Sequence, residues 1–178
     1  MKKVLSVILA LALVLGLTAC GGKKEPVETV PAASVEGTME ELLNKVIEQQ
    51  PVEFMGAVVP IDLTDTSEEG LWALKSYTGL EDAAQLSEAA AYEPMMGSIA
   101  FSMVMVRVSD GKTKEVAEAM KSGINTRKWI CVEADDLLVA GCADVVMLIM
   151  LDSASGMTAQ SFVDAFQKVA GAEPEFVI

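Results

Sequence analysis

The chain has 178 residues, 26 acidic side chains against 13 basic ones, a net charge of −13 and no histidine. A phosphate backbone needs clustered Lys and Arg, so nucleic acid is excluded as a partner class. The missing histidine removes the usual base of Ser/His/Asp and Cys/His mechanisms and the commonest zinc ligand.

Lys2 and Lys3 precede an apolar run from Val4 to Leu17. As a helix that run spans roughly 21 Å, short of the ~30 Å hydrocarbon core, which is the length of a signal-peptide core and not of a spanning segment. Leu17, Thr18, Ala19 and Cys20 resemble the lipobox of bacterial lipoproteins. The resemblance implies cleavage between Ala19 and Cys20 and lipidation of Cys20, with palmitate-type acyl chains. One acyl chain holds a protein only marginally, and the two of a diacylglycerol thioether anchor it stably. Loss of Lys2 and Lys3 with the leader makes the mature chain two units more acidic than −13. From Gly21 to Gly37 small and polar residues show no apolar period, so this stretch reads as a flexible tether. As a coil it reaches roughly 20 to 25 Å. The expected organisation is a signal peptide over 1–19, a lipidated tether over 20–37 and one folded domain over 38–178. Its place is the cell membrane, on the extracytoplasmic face.

Met39, Leu42, Leu43, Val46 and Ile47 fall on one helical stripe, with Thr38 and Glu41 spaced as a capping box and Pro51 beyond the end. A second helix is predicted from Ser67 to about Tyr77, with Thr66 and Glu69 as its capping box and Gly79 as its stop. Between them, Val52 to Leu63 is left as irregular chain or a short strand. Ser98 to Val108 is the clearest strand, apolar on both faces and therefore central. Leu86 to Pro94 can pair with it through a turn near Met96 and Gly97, although Ala89 to Ala91 suits a helix equally well. A helix is predicted from Asp110 and Gly111 to about Arg127, with Val116, Met120 and Ile124 on one stripe. Leu137–Ala140 and Val145–Leu151 then read as strands joined by a tight turn, and a last helix runs from near Thr158 to Gly171. The class is α+β: two N-terminal helices, then a small, mainly antiparallel sheet of three to four strands packed against two helices.

With those elements placed, the chain resembles a family of bacterial lipoproteins known only as a domain of unknown function, over roughly Met39 to Ala170. The residues that carry the likeness are Tyr77, Gly79 and Leu80 before an acidic stretch, then Tyr92, Glu93, Pro94 and Met95. The strand ending at Arg107 to Asp110, the helix with Arg127 and the hairpin through Gly141 complete it. The resemblance implies a lipid-anchored α+β module and brings across no catalytic or binding residue.

Ser109 and Lys112 have the Ser-x-x-Lys spacing of penicillin-recognising enzymes, but no partner motif follows, and a strand-to-helix turn explains them. The acidic pairs Glu68/Glu69, Glu81/Asp82 and Asp135/Asp136 offer two carboxylates for hydrolysis, and Asp62, Asp65 and Glu68 offer oxygens for calcium. Helix capping and solvated loops account for the same positions, and the glycine turn of a calcium loop is missing. Met95, Met96, Met103, Met105, Met147 and Met150 supply thioethers that suit Cu(I), yet their strand positions fit core packing or an adaptable apolar pocket better. Cys131 and Cys142 are spaced for a disulfide that an exported domain permits, while their apolar flanks favour two buried free thiols. No catalytic residue, metal or cofactor is therefore assigned. The expected function is a non-enzymatic binding or interaction module, tied to the membrane through its N-terminal lipid, with a protein, peptide or small molecule as partner. A carboxylate-based cell-envelope hydrolase and a metal-binding lipoprotein are the alternatives.

Overall fold

The structure is a computed structural model that describes residues 34–178. The expected leader, Ala19 and Cys20 of the lipobox, and most of the tether lie outside the described residues. Helix α1 (Met39–Gln49) begins at a complete capping box, in which the Thr38 hydroxyl accepts from Glu41 N–H and the Glu41 carboxylate accepts from Thr38 N–H. Its stripe of Met39, Leu42, Leu43 and Val46 is buried. Strand β1 (Gly56–Pro60) follows, then α2 (Glu68–Thr78), capped by Ser67 instead of Thr66 because the Ser67 hydroxyl is the one that accepts from Gly70 N–H. Gly79 ends α2 in the left-handed region at φ 79°.

Strands β2 (Leu86–Pro94) and β3 (Phe101–Val108) form a hairpin, so the alanine run from 89 to 91 is strand. Helix α3 (Thr113–Gly123) is shorter than the periodicity predicts, and an irregular segment leads from Ile124 to β4 (Asp136–Cys142). Strand β5 (Val145–Leu151), α4 (Ala159–Ala170) and a two-residue β6 (Phe176–Val177) complete the chain.

The α+β class holds, with corrections to its parts. One sheet in the order β1-β2-β3-β5-β4-β6 pairs every neighbour antiparallel, so it has six strands where three to four are expected. The additional strands are the short edges β1 and β6, where half-burial leaves little period in the sequence. The two N-terminal helices are not consecutive, since β1 separates them, and they pack on opposite faces of the sheet. Helices cover both faces: α1 and α4 lie over Met103, Met105, Met147 and Ile149, and α2 and α3 over Val104, Val106, Leu148 and Met150. An antiparallel sheet buried on both faces needs apolar residues at successive positions, and every residue of β5 is buried. Phe101 centres the first face, edge-on to Phe162 at 5.2 Å and to Phe54 at 5.1 Å between ring centroids.

Both central strands run from one end of the domain to the other. Ser102 marks one end and Arg107 the other, five residues or about 17 Å apart along β3. Each end carries one partly buried cluster of polar groups.

Candidate functional site

At the Arg107 end, the guanidinium gathers the first described residues, Ser34 to Gly37. Its Nη2 donates to Val35 O at 3.1 Å and to Gly37 O, its Nη1 donates to Ser34 Oγ at 3.1 Å and to the Asp144 carboxylate, and its Nε faces Glu88 at 3.5 Å. Asp144 reciprocates by accepting from Val35 N–H at 2.9 Å and Ser34 Oγ at 2.8 Å. Burial raises the Asp144 carboxyl, but those hydrogen bonds and the Arg107 charge outweigh it and hold it below its ordinary 3.8. Ser34 to Gly37, which composition groups with the tether, are therefore fastened to the sheet, and Val35 is buried.

At the Ser102 end, Lys128 comes from the segment after α3. Its Nζ donates to Glu93 Oε1 at 2.8 Å, to Ser102 Oγ at 3.0 Å and to Ser76 O at 3.5 Å. The rings of Tyr77 and Trp129 lie 5.1 and 5.4 Å from that nitrogen. Desolvation lowers the Lys128 ammonium below its ordinary 10.5 against the opposing charge of Glu93, and burial together with Glu93 raises the Tyr77 hydroxyl above 10.0.

A cavity of about 370 Å³ opens over this cluster, lined by Trp72, Lys75, Ser76, Gly123, Asn125 and Lys128. Trp72, Lys75 and Ser76 stand at i, i+3 and i+4 on one face of α2. Gly123 closes the opposite side, at the contact where a Cβ would meet Gly79 O at 2.0 Å. The volume falls in the range of small-molecule sites, typically ~300 to 1,000 Å³. A wider depression of about 590 Å³ at the C-terminus of α4 is lined by Asp164, Gln167, Lys168, Gly171, Ala172 and Glu173, with no aromatic ring among them. The cavity between α2 and the segment after α3 combines an aromatic ring, a buried titratable group and free polar atoms, and it is the candidate site.

Ser102 itself is fully buried and its hydroxyl donates to Glu93. Lys128 donates to that same oxygen and is in no position to take its proton. The trio is a satisfied polar core that supports the cavity, with no nucleophile presented to a substrate.

The chain matches no family model, no curated protein and no solved structure. What the site can do is therefore read from its own groups.

The residues singled out by sequence are dispersed. Ser109 Oγ donates to Gln85 O and Lys112 pairs loosely with Asp110 at 3.6 Å, both in the turn that opens α3. Glu68 and Glu69 occupy the first turn of α2, Glu81 pairs with Lys75, and Asp82 caps Ala84 N–H. Asp135 accepts from Ser153 and Asp136 from Ala159 N–H. Asp62 and Asp65 each close a local turn, onto Thr64 and Ser67, and these hydrogen bonds lower both carboxyls. Met103, Met105, Met147 and Met150 are core, whereas Met95 and Met96 are exposed. Cys131 and Cys142 are free thiols, Cys131 exposed where burial is expected and Cys142 buried with its Sγ 3.6 Å from Ala172 O. Cys131 lies five residues before β4 and Cys142 is its last residue, and the disulfide that their spacing allows is not formed. Among the described residues no helix is long and apolar enough to cross a membrane.

Glu93, Ser102, Lys128 and Trp72 are the residues that sequence reasoning missed as a group. Lys128 is 35 positions from Glu93 and 26 from Ser102, separations that no local pattern reports. The available signal was compositional: Arg127, Lys128 and Trp129 place two scarce cations beside one of only two tryptophans.

Proposed function

We propose that this chain is a lipid-anchored extracytoplasmic bacterial lipoprotein whose folded domain is a non-enzymatic binding module. The observation that supports it is the placement of the two polar clusters. Ser34, the first described residue, is held at the Arg107 end of the sheet, and the cavity opens at the Ser102 end, about 17 Å away along β3. Chain arriving from Cys20 enters the described residues at the end of the sheet that does not carry the cavity. The lipobox reading, from Leu17 to Cys20, and the family likeness to uncharacterised lipoproteins give the same address. The non-enzymatic reading draws on the environment of the groups at the base of the cavity, where Ser102, Lys128 and Glu93 spend their hydrogen bonds on one another.

Metabolic labelling with palmitate tests the anchor: the wild-type chain takes up label and remains with membranes, and Cys20→Ala takes up none. Equal labelling of the two chains removes the proposal. Titration of small molecules into the purified chain tests the binding half, and steady turnover of a ligand would replace the binding reading with an enzymatic one.

A further inference from the structure

We infer that the cavity between α2 and the segment after α3 takes a small organic anion, a carboxylate or sulfonate borne on a flat apolar body. The inference rests on the binding-module reading and names its ligand class. The charged side chains that line the cavity are Lys75 and Lys128, each paired with a carboxylate outside the lining, Glu81 and Glu93, in a chain whose net charge is −13. An acidic protein repels anions over most of its surface, so a lining that presents lysines and no carboxylate sets this site apart from its surroundings.

The free hydrogen-bonding capacity of the lining is weighted to donors. Asn125 Oδ1 already accepts from Arg127 N–H at 3.0 Å, which leaves its amide nitrogen as the unused half. Lys75 spends one of its three N–H groups on Glu81 and keeps two. Lys128 spends its hydrogen bonds on Glu93, Ser102 and Ser76, and Glu93 offsets its charge, so the cation that a ligand meets is Lys75. Donors in excess call for a ligand rich in acceptors.

The pair between Lys75 and Glu81 does not block this. Its side chains are 53% and 78% exposed, and exposed pairs contribute about 0 to 1 kcal/mol. A ligand anion can displace Glu81 at small cost. The flat apolar body is called for by Trp72. Its side chain is 70% exposed at the rim of a predominantly apolar lining, leaving a large aromatic face in water with no protein group stacked on it.

The test uses the full-length chain in one detergent, titrated by calorimetry with three probes of the same ring: 2-naphthoate, neutral 2-naphthalenemethanol and cationic 2-naphthalenemethylamine. Expected is saturable one-to-one binding of 2-naphthoate, at least tenfold tighter than either analogue. Lys75→Gln, an exposed substitution that leaves the core intact, is expected to weaken 2-naphthoate about fivefold and leave the alcohol unchanged. Trp72→Ala is expected to weaken both. Alcohol or amine binding as tightly as 2-naphthoate, with Trp72→Ala still weakening it, overturns the anion assignment and keeps the cavity as a binding site. Absence of saturable binding by all three probes overturns the assignment and the binding reading together.

Discussion

Lys128 Nζ lies 2.8 Å from Glu93 Oε1 with the two side chains 10% and 14% exposed, and this pair fixes the segment after α3 against the end of β2. Removing one partner of a buried pair strands the other, at a cost of about 3 to 5 kcal/mol, whereas replacing both by apolar groups is often neutral. Lys128→Met is expected to lower the urea midpoint sharply, and Lys128→Met with Glu93→Leu to recover most of the loss. A double mutant no better than the sum of the singles would show that the pair is not coupled. The folded Lys128 releases its proton before the unfolded one, so between its lowered value and 10.5 its contribution to stability rises with pH. Tyr77, raised above 10.0, acts in the opposite sense over the range above 10.0.

Gly123 and Gly79 bring the C-terminal ends of α3 and α2 into backbone contact. A Cβ on Gly123 would sit 2.0 Å from Gly79 O, and Gly79 itself holds φ 79°. Backbone cannot give way as a flexible side chain can, so Gly123→Ala forces the helix ends apart at a cost of about 1 to 3 kcal/mol, the range of overpacked cores. Thermal unfolding measures the loss. Because Gly123 lines the cavity, the same substitution is expected to weaken 2-naphthoate binding more than Gly97→Ala, whose Cβ would meet nothing within 4 Å. Equal stability of Gly123→Ala and the wild type would contradict the close approach.

The way residues were legible in the sequence follows the range of the interactions that place them. The box of Thr38 and Glu41, the stop at Gly79 and the start of α4 at Thr158 are fixed by hydrogen bonds three or four residues long, and each lies where the sequence puts it. The central strands are legible because burial on both faces writes an unbroken apolar run, as in Val145–Leu151. Edge strands escape because they are short and half-wet. Phe176, which fills the space above Gly141 where a Cβ would be 2.2 Å away, carries no period at all in two residues. The candidate cavity escapes for a related reason: its groups come from α2, the segment after α3 and, beneath them, β2 and β3, and only the sheet register brings these together.

The two thiols of the domain differ in environment enough to be counted separately. Cys142 is buried, and desolvation with the charge of Glu175 pushes its thiol up to about 11. At pH 8 its thiolate is then on the order of one molecule in a thousand. Cys131 is exposed. In a Cys20→Ser chain, Ellman's reagent at pH 8 is expected to titrate one thiol within minutes and the second only after denaturation. Cys131→Ser is expected to abolish the fast phase alone. Two fast thiols would mean that the end of β4 opens readily, and none would mean that Cys131 is bridged or covered in solution.

Arg107 and Asp144 make the attachment of Ser34–Gly37 depend on pH. Asp144 is held below its ordinary 3.8, so the folded carboxylate contributes stability that is fully present above 3.8 and is lost as pH falls through the lowered folded value. Asp62, Asp65, Asp110 and Asp135 are lowered in the same direction, each by a local turn or side-chain hydrogen bond, and add to acid sensitivity over the same range. What distinguishes Asp144 is where its loss is felt. Hydrogen exchange at Val35 N–H, which donates to Asp144 Oδ1, is expected to accelerate in acid beyond the intrinsic rate change, ahead of exchange in β5. Asp144→Asn is expected to produce that opening already at neutral pH, because an amide holds one acceptor oxygen where the carboxylate uses two. Arg107→Lys keeps a cation but loses the planar fork that reaches Val35 O, Gly37 O and Asp144 at once, and is expected to open the same segment without restoring it at low salt. Protection of Val35 N–H unchanged in both variants would mean that the segment is held by the burial of Val35 and not by this pair.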